Sequence, residues 1–367
     1  MRKKILVFSL AYFPFEGGAE IAVKEIISRL PEIDFDIITL RFGKSHRGEE
    51  KLENSMIHRI NASKNFYPFK ALFLGIKLHK ANNYDAVWGI MANWAGLGAL
   101  FFKFRFPKVS YVLTLQEGDP IPYIMNKTRF IGPLFKKIFV KADMIQAISN
   151  YLARWAKDMG GRDVVVIPNG VDVEKFQNSK SHIFDNENVV LITTSRLVEK
   201  NAVDDIIEAM KFLPDSFSLK IIGTGGLESE LKLKARNLKL EARVEFLGHV
   251  PYKDIPQHLH VADIFIRPSL SEGMGNSFIE AMAAGLPVIA TPVGGIPDFL
   301  EDEKTGLFVE PKSPRLIAFQ VQKLASDRVL RDKITINAKR MVGERYDWDL
   351  VASEMKAKVF DPILREL

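Results

Sequence analysis

Residues 264–298 read IFIRPSLSEGMGNSFIEAMAAGLPVIATPVGGIPD. An apolar run, Ile264–Arg267, leads into a glycine-rich turn that reaches Gly275. The pattern then predicts a helix from about Asn276 to Ala284, stopped by Gly285 as its C-cap. A second apolar run, Pro287–Ala290, ends in another glycine turn over Thr291–Asp298. Neither run alternates with period two. Both faces of each strand are therefore expected to be covered, as in a parallel sheet flanked by helices.

The same reading extends over the whole chain. Further strands are expected at Lys4–Ser9, Asp36–Leu40, Ala86–Ile90, Ser110–Leu115, Met144–Ile148 and Val164–Ile167. After a break come Val189–Ser195, Ser218–Ile222 and Val244–Leu247. Ala142–Ser149 (ADMIQAIS) echoes Ala262–Ser269 (ADIFIRPS), each reading as helix end, Asp, buried strand, Ser. With 367 residues, beyond what one core holds, the echo favours two doubly wound sheets over one. The polar stretch Asp172–Asn188 is the expected linker. Two such sheets facing each other would form a cleft outside the carboxyl ends of their strands.

Composition removes several classes. A 47% hydrophobic chain with 26% charged residues packs a core rather than staying disordered. Zero cysteines exclude a disulfide scaffold, a cysteine nucleophile and thiolate metal sites, and fit a reducing cytosol. Met1–Lys4 followed by Ile5–Phe13 imitates a signal peptide, but Pro14-Phe15-Glu16-Gly17-Gly18 follows where a small-residue cleavage site belongs. It reads as a buried first strand running into a glycine turn. The uncharged run Ala86–Phe102 is short of a membrane span and reads as strand, turn and helix.

Charge is unevenly spread. Residues 1–170 carry 25 Lys/Arg against 15 Asp/Glu, a net of +10; the remainder carries 26 against 30, a net of −4. The first half is thus suited to an anionic partner. Two stretches there, 67–80 and 101–108, interleave aromatics with Lys70, Lys77, Lys80, Lys103, Arg105 and Lys108. That composition suits an anionic membrane surface or a lipid-diphosphate. No nucleic-acid-binding module is present.

The chemistry gathers in the opening stretch. Glu272 sits on the turn and Glu280 inside the helix, so both are expected to face one cleft, and carboxylates suit the paired hydroxyls of ribose or sugar. Gly273 and Gly275, the helix start at Asn276 and Ser277, and the later Gly294-Gly295 offer backbone N–H groups to an anion.

This stretch resembles the Glu-x7-Glu signature of the family 4 retaining glycosyltransferases, which have the GT-B fold. The flanking Gly285-Leu286-Pro287-Val288 and Gly294–Asp298 resemble that family too, with Asp298 where Glu is commoner. Other landmarks agree in order: Gly17-Gly18-Ala19-Glu20, Ile167–Asp172, Ser195-Arg196-Leu197 with Lys200, Ile222–Gly225 and Phe246–Val250. They span nearly the whole chain.

The resemblance implies an α/β protein of two Rossmann-like domains facing across a cleft. Residues 1–170 would form the acceptor side and 171–348 the nucleotide-sugar domain, with a terminal helix, 349–367, crossing back to the first domain. It implies that Glu280 holds the donor's ribose, Glu272 contacts the transferred sugar, and Arg196 and Lys200 neutralise the diphosphate. Gly17 and Gly18 would approach the phosphates, and the Val250 backbone would meet the base.

The chain departs from the family where many members place a His. Here Thr114–Pro120 reads TLQEGDP, with Gln116 and Glu117 at that point. Glu117 or Asp119 is expected to bind a sugar or acceptor hydroxyl instead. Two Asp-x-Asp triplets, Asp34-Phe35-Asp36 and Asp347-Trp348-Asp349, read as a strand edge and a helix cap rather than metal ligands. No metal or other cofactor is expected to be required.

The expected activity is transfer of a sugar from a UDP- or GDP-linked donor to a glycan or lipid-linked hydroxyl, with retention, in the cytoplasm at the inner face of the membrane. The alternatives are a GT-B sugar epimerase and a non-catalytic nucleotide-sugar-binding module.

Overall fold

The computed structural model describes residues 2–43, 46–177 and 188–365. They form two compact units: residues 1–169 with 348–367, and residues 170–347.

The first unit is an eight-stranded sheet. Its strands are β1 (Lys3–Phe8), β2 (Ile33–Leu40), β3 (Glu49–Leu52), β4 (Ser55–Ile60), β5 (Ala86–Ile90), β6 (Ser110–Leu115), β7 (Met144–Ala147) and β8 (Val164–Val166), in the order β3-β4-β2-β1-β5-β6-β7-β8. All neighbours are parallel except the β3–β4 hairpin. The central runs are apolar on both faces because helices cover both: Ile5–Phe8 and Ala86–Ile90 are fully buried.

That interior is strongly aromatic. Trp88 donates its indole N–H to Thr114 Oγ1 at 2.7 Å, which satisfies the one polar atom such a ring brings inside. Phe360, from the terminal helical run that starts at Trp348, packs against Trp88 and Phe35 at 5.3 and 6.2 Å between ring centroids. Arg29 pairs with Asp349 at 2.6 Å and with Glu25 at 2.5 Å, fastening the start of that run to the helix Gly18–Ser28.

The second unit is a six-stranded, wholly parallel sheet. Its strands are β9 (Val190–Thr194), β10 (Ser218–Ile222), β11 (Val244–Gly248), β12 (Ile264–Arg267), β13 (Val288–Ala290) and β14 (Leu307–Phe308). The order β11-β10-β9-β12-β13-β14 is that of a Rossmann sheet. The chain leaves β9 toward one edge and later returns to build the other from β12, so the loops after β9 and β12 part company at a topological switch point, where open α/β sheets bind ligands.

Three strands lie outside the expected set: β3, β4 and the short β14. The expected linker also needs correction at its start. Val173–Gln177 is a helix whose Phe176 is fully buried, with Asp172 Oδ1 accepting the Lys175 N–H at 3.0 Å. Residues 178–187 of that stretch lie outside the described residues.

Candidate active site

The second unit gathers most of the candidate residues on loops at the carboxyl ends of its strands. After β9 the chain turns through Ser195-Arg196-Leu197, where Leu197 N–H bonds Thr224 O of the loop after β10 at 3.0 Å. Arg196 is exposed; Lys200, half-buried, lies in the short turn Glu199–Asn201. The Lys200 carbonyl accepts the Leu270 N–H at 2.7 Å, tying this loop to the one after β12.

After β12 the chain passes through Ser271, Glu272, Gly273 and Met274, all buried, and enters the helix Asn276–Ala283. That helix has no side-chain N-cap; the residue before it, Gly275, takes φ +89°. The amides at Asn276 and Ser277 open the helix. Glu272 is held in place from several sides. Its Oε2 accepts from Arg267 at 2.5 Å, its Oε1 from Gly273 N–H at 3.2 Å, and its carbonyl from Gly295 N–H at 3.2 Å. Gly294 passes so close that a Cβ there would lie 1.7 Å from the Glu272 carbonyl oxygen. The two glycine turns are thus packed into one surface.

Glu280 is buried on the helix, as is Glu272 on its turn. Burial pushes the Glu280 carboxyl up to about 7; the Arg267 charge, a Tyr252 hydrogen bond and Lys175 oppose that rise only in part. Arg267 thus pairs with one carboxylate and attracts the other. Tyr252 is in turn flanked by Lys175, 5.0 Å from its ring, and by Phe176 at 6.1 Å. Val250, half-buried, directly follows Gly248-His249 at the end of β11. Arg267, Asn201, Tyr252 and Lys175 were not among the residues expected from sequence. Arg267 leaves one trace there: a cation closing an otherwise apolar run, Ile264-Phe265-Ile266.

In the first unit Gly17 and Gly18 stand at the start of the helix Gly18–Ser28, Gly17 half-buried and Gly18 exposed. At the position of the family's His, Gln116 makes a reciprocal amide pair with Asn169 at 3.1 and 2.8 Å. Glu117 turns inward: it is 5% exposed and its Oε1 accepts the Ala92 N–H at 2.5 Å, joining the loops after β6 and β5. Burial, opposed by backbone hydrogen bonds such as that from Ala92, pushes its carboxyl up to about 7.

That shift carries a sign. An unfolded Glu titrates near its ordinary value of 4.5, so between that value and about 7 the folded chain binds the extra proton. The group favours folding below this window, and that contribution is lost as pH rises through it. Glu117→Gln keeps an acceptor for Ala92. It is expected to be more stable than the parent by about 2–3 kcal/mol at pH 8 and equal to it at pH 4. Urea midpoints at the two pH values check this; an equal difference at both would contradict it.

Among the described residues no group of three or more His, Asp or Glu side chains is placed to hold a metal ion. Three of the four Asp-x-Asp residues are seen with other partners. Asp36 bonds His58 at 2.6 Å, Asp34 pairs with Arg2 at 3.4 Å, and Asp349 pairs with Arg29. No helix is long and apolar enough to cross a membrane among the described residues.

Two family models match, end to end. Glycosyltransferase Family 4 covers residues 16–175 and Glycosyl transferases group 1 covers 174–341. An uncharacterized glycosyltransferase of Methanocaldococcus jannaschii is 26% identical over 352 residues, 94% of this chain and 95% of its own length. A GDP-mannose-dependent alpha-(1-6)-phosphatidylinositol monomannoside mannosyltransferase of Mycobacterium tuberculosis is 27% identical over 76% of each chain. Among solved structures, sucrose-phosphate synthase from Thermosynechococcus elongatus superposes with a TM-score of 0.86 over 100% of both chains at 18% identity. Anabaena HepE, solved with UDP and glucose, gives 0.81 over 98% of this chain and 100% of its own at 21% identity. Structures this distant in sequence speak for the fold, and the family models for kinship. The chain belongs to the family 4, group 1 glycosyltransferases and has their GT-B fold.

Proposed function

We propose that this transferase moves a sugar from a UDP- or GDP-linked donor to a hydroxyl of a glycan or lipid-linked acceptor, with retention of configuration. One observation carries the donor half: two buried carboxylates, a buried arginine acting on both, and the Arg196–Lys200 loop share the carboxyl-end surface of the second sheet around its switch point. Glu280 takes the ribose hydroxyls and Glu272 a hydroxyl of the sugar. Arg196 and Lys200, with the amides of Gly275, Asn276, Ser277 and Gly294, take the diphosphate, and Val250 the base; the Gly273 and Gly295 N–H groups, expected there too, are already donated to Glu272 and hold the two turns together instead. The charge on the diphosphate grows as the C1–O bond breaks, so fixed cations there act more strongly in the transition state than before it. The acceptor oxygen bonds C1 from the face the phosphate leaves, and its proton passes to the departing phosphate oxygen. With cations built into the chain, no metal is required. The mannosyltransferase relative names GDP-mannose as donor and HepE was solved with UDP, so both bases stay within the proposal.

On the first unit Glu117 and its loop are assigned to the acceptor side. Retention and metal independence are tested together by NMR of the product anomer formed from UDP-glucose or GDP-mannose in excess chelator. An inverted anomer overturns the first, and loss of turnover overturns the second.

The acceptor reading includes contact with an anionic membrane. The helix Tyr67–Asn82 buries Tyr67, Pro68, Ala71 and Gly75 but exposes Phe69 and Phe73 beside Lys70 and Lys77. Phe69 meets Phe101 at 5.6 Å, and Phe104 and Phe130 are exposed with Lys137 and Arg129 over their rings. Each Lys or Arg near an anionic surface is worth about 1 kcal/mol, weakening with salt. The protein is expected to co-sediment with phosphatidylglycerol vesicles at low salt, and Phe69→Ser with Phe73→Ser to cut the bound fraction at least fivefold. Equal binding by both proteins would remove this surface from the account.

A further inference from the structure

We infer that Arg267 is a positioning residue for sugar transfer: its guanidinium holds Glu272, the start of the Glu280 helix and the Arg196–Lys200 loop in one arrangement. The inference rests on the transferase reading above.

Three bonds from one fork carry it. Arg267 Nη1 donates to Ser277 Oγ at 2.7 Å, in the first turn of the helix Asn276–Ala283. Its Nη2 donates both to Glu272 Oε2 at 2.5 Å and to Asn201 Oδ1 at 3.1 Å. Asn201, itself 1% exposed, relays the contact by donating its Nδ2 to the Arg196 carbonyl at 2.7 Å. The guanidinium carbon lies 5.3 Å from the Phe278 ring centre, so an aromatic ring lies beside the fork. One side chain thus spans the two loops that part at the switch point and the helix that carries the second carboxylate.

Burial makes the arrangement specific. Arg267 is 9% exposed, closing a strand whose other residues are apolar, and Glu272 is 7% exposed. The two Nη groups of this buried guanidinium find partners, while its Nε–H has none among the described residues; a planar fork meets several acceptors at fixed angles where an ammonium would not. Lysine therefore keeps the charge and loses the geometry. With Oε2 committed to Arg267, Glu272 is left with Oε1, beside the Gly273 N–H, as its second acceptor. Arg267 touches neither of the proposed diphosphate cations directly. It acts through the groups it holds.

The experiment is a double-mutant cycle on the full chain. Release of UDP from UDP-glucose and of GDP from GDP-mannose is followed for the parent, Arg267→Gln, Arg267→Lys, Glu272→Gln and the Arg267→Gln/Glu272→Gln pair, with melting temperatures alongside. Arg267→Gln is expected to lower kcat at least thirtyfold while KM moves less than threefold. Arg267→Lys should recover less than a third of the loss. The pair should fall within threefold of the worse single variant, because residues acting as one unit are not additive. A folded Arg267→Gln with kcat within threefold of the parent, or a pair whose losses multiply, overturns the inference and leaves the transferase reading intact. Should Arg267→Gln not fold, Ser277→Ala and Asn201→Ala each remove one arm of the fork and are expected to lower kcat at least threefold; unchanged kcat in both overturns it equally. A parent that neither binds nor consumes either donor overturns the transferase reading itself, and this inference with it.

Discussion

Turnover of a nucleotide-sugar is expected to fall by about two to three orders of magnitude when Arg196 is replaced by Ala, the loss typical of removing one preorganised group from a developing oxyanion. Arg196 is exposed, and among the described residues no carboxylate ion-pairs with it. Its charge is thus available to an anionic ligand, and folding does not depend on it. The loss should appear in kcat, with the melting temperature unchanged. Arg196→Lys should retain part of the activity, since a point charge replaces a fork that grips two phosphate oxygens. Steady-state kinetics on the donor decide this, and an Arg196→Ala variant with parental kcat would remove the residue from the transfer step.

Gly294→Ala is expected to destabilise the second unit by about 3 kcal/mol and to abolish donor binding. The added Cβ would lie 1.7 Å from the Glu272 carbonyl oxygen and 2.8 Å from its carbonyl carbon. Neither atom yields easily, because that carbonyl already accepts the Gly295 N–H and the Glu272 side chain is held by Arg267. The backbone is unfavourable as well: Gly294 takes φ +58°, a region residues with a Cβ rarely adopt. Gly226→Ala is the control, since a Cβ there meets nothing within 4 Å, and it should stay within about 0.5 kcal/mol of the parent. Denaturant melts of both variants check the pair; a Gly294→Ala protein as stable as Gly226→Ala would contradict the packing described.

Much of the fold is legible because buried parallel strands announce themselves as unbroken apolar runs. Ala86–Ile90, Ser110–Leu115, Ser218–Ile222 and Ile264–Arg267 coincide with observed strands at both ends. What hides is polar. β3 reads Glu-Glu-Lys-Leu and lies at the sheet edge, where one neighbour suffices and water takes the rest. β4 contains His58 and Arg59, whose partners come from other strands, Glu49 and Glu50 from the adjoining β3 and Asp36 from β2. β2 begins at Ile33, earlier than expected, because Asp34 and Asp36 interrupt its apolar run.

The site shows the same divide. The two carboxylates and the glycine turns are visible as spacing. Arg267 is visible only as the end of a strand, since its meaning lies in Asn201, Glu272 and Ser277, which the fold brings to it. Gln116 and Glu117 were legible as a departure from the family pattern. The amide pair with Asn169 and the inward turn onto Ala92 were not, because both depend on loops set by neighbouring strands.

The central claim is that the second unit binds an activated sugar through Glu280 and its neighbours. It is tested most directly by melting the parent and Glu280→Ala with and without UDP-glucose, UDP-N-acetylglucosamine and GDP-mannose. A ligand at about 100 times its dissociation constant adds about 2.7 kcal/mol to folding stability. At least one of the three should raise the parent's melting temperature while leaving that of Glu280→Ala where it was. A parent that none of them stabilises, or a Glu280→Ala protein stabilised to the same degree, would contradict the account.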